Sequence, residues 1–179
     1  MKQPDKRIIT AAISLLVTFS LLLGGYSFYN NYIVKKPLLQ ALKDVDGVQD
    51  VKVSKEEGQY RITVVLDEVE NLQSSYVKLD ETSTTYLARK GYELQIADHR
   101  SQQLTDLYDQ MQPYIYEALA KNNYIWLQEE ISRQLLHNSP DTEYRFSIDG
   151  DRIYLQLTQE QKSLYAVIPR QITEGTVSI

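Results

Sequence analysis

The Asp149-Gly150-Asp151 triplet is the first place in this chain where residue type and spacing could do chemistry, because two carboxylates flanking a glycine can converge on one cation. A calcium loop needs the longer pattern D-x-[DN]-x-[DN]-G with a Glu further on, and neither extension is present. Asp-Gly is also a strong tight-turn dipeptide, so these residues read as a hairpin turn. His99 and His137 are the two histidines. Neither has a carboxylate or a second His at ligand spacing on its own element, and His137, near a helix end, complements the helix dipole. Nucleophilic catalysis would need a Ser or Thr beside a base, yet no G-x-S-x-G occurs. The glycines are too scattered to cradle a phosphate, and Glu129-Glu130 reads as a solvated face. No catalytic, cofactor-binding or metal-ligating residue is therefore assigned. An enzyme would require a carboxylate pair assembled only by folding, such as Asp149 or Asp151 facing Glu143.

Tyrosine is the compositional excess, at 14 residues, and cysteine is absent, which removes disulfides and thiolate metal sites. A tyrosine ring fills a core while keeping its hydroxyl wet, or supplies contact area at an interface. Tyr60, Tyr76, Tyr92 and Tyr144 fall on core faces. Tyr114, Tyr116, Tyr124 and Trp126 cluster where an apolar stripe changes face, and they form a candidate protein-interaction patch.

The elements that must position these side chains follow from periodicity. Pro37 can open a helix, and Leu38, Leu39, Leu42 and Val45 recur at helical spacing until Gly47. Val51 and Val53 alternate on one strand, and Tyr60, Ile62, Val64 and Leu66 on a second, around an expected Glu57-Gly58 turn. Asp67 followed by Glu70 matches a capping box before Val69, Leu72, Tyr76 and Leu79, with Arg89-Lys90-Gly91 as the expected helix end and Gly91 as its left-handed cap. Tyr92, Leu94 and Ile96 make a third strand. A second module opens near Ser101 with a wide stripe through Leu104, Leu107, Met111, Ile115 and Ala118, kinked at Pro113 and broken around Lys121-Asn122-Asn123 before Tyr124, Leu127, Ile131 and Leu135. Tyr144, Phe146 and Ile148, then Ile153, Leu155 and Leu157, then Leu164, Ala166 and Ile168 complete a three-stranded meander.

Ile8 to Phe28 carries no charged side chain, and a bilayer core needs about 20 apolar helical residues. The sequence thus predicts a transmembrane anchor over 8–28, with Ile8, Leu15, Leu16, Val17, Leu22, Tyr26 and Phe28 meeting the lipid bilayer. Lys2, Lys6 and Arg7 before it place the N-terminus (1–7) in the cytoplasm and the C-terminal domain outside the cell, with a juxtamembrane linker over 29–36. A cleaved signal peptide is the competing reading of the same segment. The whole chain has a formal charge of −5, and five of its 19 basic residues (Lys2, Lys6, Arg7, Lys35 and Lys36) precede Pro37, against Asp5 alone of its 24 acidic ones. The remainder is strongly acidic, which excludes nucleic acid as a partner.

The order helix, strand, strand, helix, strand over 37–98, with the text LLQALKDVDGVQDVKV and its Gly47-Val48 step, resembles the ring-building motif of sporulation-channel and type III secretion ring proteins. That resemblance implies small α+β domains that assemble with one another beside a membrane. The expected fold class is α+β: a single N-terminal transmembrane helix, an αββαβ module (37–98), a module of helices plus β-meander (99–170) and a tail (171–179). The expected function is a non-enzymatic, single-pass cell-membrane protein whose extracytoplasmic domain associates with itself or with another envelope protein. The alternative is a ligand-sensing or substrate-binding domain.

Overall fold

The computed structural model describes residues 6–56, 58–88 and 90–170. Helix α1 (Lys6–Phe28) runs through a π-helical turn (Tyr29–Lys35) into α2 (Lys36–Lys43), followed by β1 (Val48–Glu56), β2 (Gln59–Leu66), α3 (Leu72–Leu87) and β3 (Tyr92–Ala97). The second half is α4 (Gln102–Lys121), α5 (Tyr124–Asn138), β4 (Glu143–Ile148), β5 (Arg152–Gln159) and β6 (Lys162–Pro169). Two three-stranded sheets result, ordered β1-β2-β3 and β4-β5-β6. The first is mixed, since β2 and β3 run parallel across the α3 connection; the second is an antiparallel meander.

The α+β class and both sheets are as expected, but the transmembrane part of the fold and the membrane localisation are not upheld. Among the described residues no helix is long and apolar enough to cross a membrane. Ser14, Thr18, Ser20, Gly24 and Gly25 dilute the apolar character of α1, and Thr18 returns its hydroxyl to the Ser14 carbonyl at 2.9 Å. The side chains of Ile8 and Tyr26, two of the expected anchor residues, lie outside the described residues, whereas Leu15, Leu16, Val17, Leu22 and Phe28 are exposed.

Local caps fall at other residues than the sequence pattern suggests. Helix α3 is capped by Asn71, whose side chain accepts from the Ser74 N–H at 3.0 Å, while Asp67 turns back to accept from the Glu68 N–H at 2.9 Å. The left-handed residue ending α3 is Ala88 (φ 51), not Gly91, and Arg89 lies outside the described residues. So do Glu57 of the expected turn and the 171–179 tail. Gly47 does take φ 81 where α2 hands over to β1, and a Cβ there would strike the Val69 side chain. Pro113 is accommodated inside a continuous α4, and the expected break comes at Asn122 (left-handed) and Asn123, whose side chain caps α5 through the Trp126 N–H.

The second sheet lies between two cores. Ile153, Leu155, Leu157, Leu164 and Ala166 point toward α4 and α5 and close a core with Leu104, Met111, Leu127 and Ile131. Tyr154 and Tyr165 point the other way, into the core built by Leu38, Leu42, Ile62, Val64, Leu79 and Leu87. Successive residues of β5 are therefore buried on alternating faces, as in a sheet covered on both sides. Burying such side chains contributes about 1.5–3 kcal/mol each, so neither half completes its core without this sheet.

Candidate functional site

The β2–α3 loop, residues 67–71, is held onto the second sheet by a small polar cluster. The Tyr165 hydroxyl donates to the Asp67 carbonyl at 2.9 Å and accepts from the Val69 N–H at 3.4 Å, and Gln156 Nε2 donates to the Val69 carbonyl at 2.8 Å. Gln156 is only 5% exposed, and its Oε1 is buried with no hydrogen-bond partner among the described residues. Beside it the loop and strand β4 enclose a cleft of about 350 Å³, lined by Glu68, Glu70, Glu143, Arg145, Gln156 and Thr158. A buried carbonyl without a donor costs about 1–3 kcal/mol, so the Gln156 amide is held in this cluster at a cost, and the carboxylates of Glu68, Glu70 and Glu143 give the adjoining cleft its chemistry.

A second cluster joins α3 to the β4–β5 turn. Tyr92 donates to Asp80 Oδ1 at 2.8 Å, Arg152 lies 3.7 Å from Asp80 and over the Tyr76 ring, and Tyr154 donates to Asp149 Oδ2 at 2.7 Å. Burial, then the hydrogen bond to Asp149 and its negative charge, push the Tyr154 phenol far above its ordinary range. Burial likewise raises Tyr76 and Tyr108. These phenols stay protonated and act as donors and fillers. Asp149 is pushed up by desolvation, but hydrogen bonds from Tyr154 and from the Asp151 and Arg152 N–H groups, with the Arg152 charge, outweigh that and hold it below the usual carboxylate range. Its side chain is committed to closing the turn, with Oδ1 accepting from Asp151 and Arg152 at 2.8 and 2.7 Å.

The pairing of Glu143 with Asp149 considered from the sequence is not formed. Glu143 and Asp149 sit at opposite ends of β4, about 20 Å apart along the strand. His99 Nε2 lies 3.1 Å from Gln49 Oε1, and His137 occupies the last turn of α5. Among the described residues no cluster of three His, Cys, Asp or Glu side chains could hold a metal ion.

The aromatic patch is divided by the structure. Tyr114 accepts from Gln134 at 3.1 Å and packs its ring 6.0 Å from that of Trp126. Tyr124 accepts from Arg170 Nε at 3.2 Å, with the guanidinium over its ring at 4.8 Å, tying the end of β6 to α5. Tyr116 alone of the four is mostly exposed, at 58%. Sequence reasoning missed Gln156 and Tyr165, whose signal was available only as polar letters in alternate positions of apolar strands.

No protein-family profile, curated protein or solved structure matches this chain. Its functional reading rests on its own geometry.

Proposed function

We propose that this chain is a non-enzymatic α+β assembly protein, associating with itself or with another protein. The observation that carries the reading is surface chemistry: Ile13, Leu15, Leu16, Leu21 and Leu22 of α1, and Tyr116, Ile125 and Leu136 on the helical layer, are each more than half exposed. Apolar surface of that extent is characteristic of contact regions. The titratable side chains described above, by contrast, serve caps, turns and the seam between the cores. The helix-strand-strand-helix-strand order over 37–98 supports the same reading through its resemblance to ring-building modules. Light scattering and cross-linking of the full chain, kept dispersed by a mild non-ionic detergent, test it. A strictly monomeric, uncross-linked chain overturns it.

The second reading, a ligand-binding domain, is favoured by the cleft lined by Glu68, Glu70 and Glu143. Thermal-shift screening against amine, guanidine and amino-acid compounds tests that. No ligand raising the midpoint, or one whose effect survives Glu143→Gln, removes it.

A further inference from the structure

Each sheet has two outer strands, and they are not equally protected. The β6 edge is blunted by Asp98, whose side chain is 4% exposed and accepts from the Tyr165 N–H at 2.8 Å while Arg100 holds it in a two-pronged ion pair. The β1 edge carries a register irregularity between Val48 and Asp50. Among the described residues strand β4 has neither device, and β5 is the only strand it pairs with.

The hairpin fixes which backbone groups of β4 face outward. Asp149 N–H donates to the Arg152 carbonyl at 3.0 Å, so Asp149 and Arg152 form a hydrogen-bonded pair. With the uninterrupted β4–β5 register, Ser147, Arg145 and Glu143 are then the residues bonded to β5, and Tyr144, Phe146 and Ile148 turn their N–H and C=O groups away from it. Tyr144, Phe146 and Ile148 pack their side chains toward the α4/α5 core, and Glu143 and Arg145 project on the opposite face, over the cleft. Both are exposed, and neither has an ion-pair partner among the described residues.

We infer that the occupant of the β4 edge is a second copy of this chain, its β4 running antiparallel with Tyr144 opposite Tyr144 on the two-fold axis. This inference rests on the assembly reading above and names its partner and contact. Charge complementarity selects this register. Outward-facing residues must meet outward-facing residues, so the two-fold registers that overlap at least three residues of β4 centre on Tyr144, Arg145, Phe146 or Ser147. Centring on Ser147 sets Arg145 against Asp149, whose carboxylate is already committed to the Tyr154 hydroxyl and the Asp151 and Arg152 N–H groups. Centring on Arg145 sets that cation against its own copy, and centring on Phe146 sets Glu143 against Asp149. Centring on Tyr144 places Glu143 opposite Arg145 of the second copy twice over, on the face where Glu68 and Glu70 add further negative charge. Direct opposition of unlike charges stabilises a strand pair, and like charges oppose it. The contact is isologous and closes after two copies, joining two three-stranded sheets into one of six.

The test uses full chains labelled with a donor or an acceptor dye, in mild detergent. Wild type with wild type gives energy transfer, and so does the exchanged variant E143R/R145E with itself. Wild type mixed with the exchanged variant sets Glu against Glu and Arg against Arg, and its association falls roughly tenfold or more, as does that of Arg145→Glu alone. Equal transfer in every mixture overturns the β4 pairing while leaving assembly through another surface standing; no transfer even between wild-type chains overturns both. Because the chain has no cysteine, a second readout is independent of charge reversal. Opposed strand residues sit about 4.5–5.5 Å apart at Cα, within disulfide reach. Glu143→Cys mixed with Arg145→Cys gives a mixed disulfide dimer that retains one Arg145–Glu143 contact, and neither variant alone matches its yield. Equal yields from all three preparations overturn the register.

Discussion

Replacing Tyr165 with Phe removes one oxygen atom and leaves the ring in place, so its effect isolates the hydroxyl that pins the β2–α3 loop to the second sheet. Tyr165 is 3% exposed, and its hydroxyl serves the Asp67 carbonyl and the Val69 N–H, 98 and 96 residues away in sequence. Phe leaves both backbone groups short of a partner in a place where water has little access. An orphaned buried group costs about 1–3 kcal/mol, and the Val69 contact at 3.4 Å is the weaker of the two, so the net loss is about 1–3 kcal/mol. For a chain of 179 residues each kcal/mol shifts the midpoint by roughly 2–4 °C, giving a fall of about 2–12 °C. Urea titration with circular dichroism on the full chain measures it. The denaturant slope should stay at the wild-type value, because the area exposed on unfolding is unchanged. Tyr86→Phe, at a 43% exposed position, is the control and should stay within about 0.5 kcal/mol. A Tyr165→Phe loss no larger than that of the control would refute the claim that this hydroxyl fastens the two cores together.

Acid titration of stability tests Asp149. Its carboxyl is held lower in the folded chain than in the unfolded one, so it contributes stability above the unfolded value near 3.9 that is lost as the pH falls through the folded value. Wild type should therefore weaken below about pH 4 more steeply than Asp149→Asn, which has no such titration, and parallel curves would contradict the assignment. Asp98→Ala strips the cap from the Tyr165 N–H and should cost about 1–3 kcal/mol by chemical denaturation, with sheet-rich aggregation rising as the β6 edge opens. The two left-handed glycines among the described residues separate strain from collision. Gly58→Ala has open space and should cost about 1 kcal/mol, whereas Gly47→Ala also meets Val69 and should cost at least about 1 kcal/mol more, read from urea midpoints.

Much of the architecture was legible because its apolar residues keep a clean period. The three meander strands and the break at Asn122-Asn123 needed no tertiary information to place. Caps were less legible, because Asp67 and Asn71 are both competent N-caps four residues apart, and only the packing of Leu72 and Tyr76 decides between them. Strand β5 was misleading in a more consequential way. Its Ile-Tyr-Leu-Gln-Leu run alternates strong apolar residues with Tyr and Gln, the pattern of a sheet with one wet face, yet Tyr154 and Gln156 are as buried as their neighbours. The site was illegible for the same reason, since it forms where that second face meets a loop some 90 positions earlier in the chain. The long uncharged N-terminal stretch read as a membrane span, and no described helix meets that requirement.

The double-faced sheet also sets a timetable for synthesis. Asp67 leaves the ribosome 98 residues before Tyr165, and chains elongate at about 5–20 residues per second. For about 5–20 s, then, the first αββαβ unit exists in the cell with the surface around Ile62, Val64 and Leu79 lacking the tyrosines that will cover it. Folding of the amino-terminal half cannot finish while it is being made, and must wait for the last strand to emerge. Premature termination anywhere before β6 would accordingly leave a product with an open apolar face, a natural target for holding chaperones and proteases.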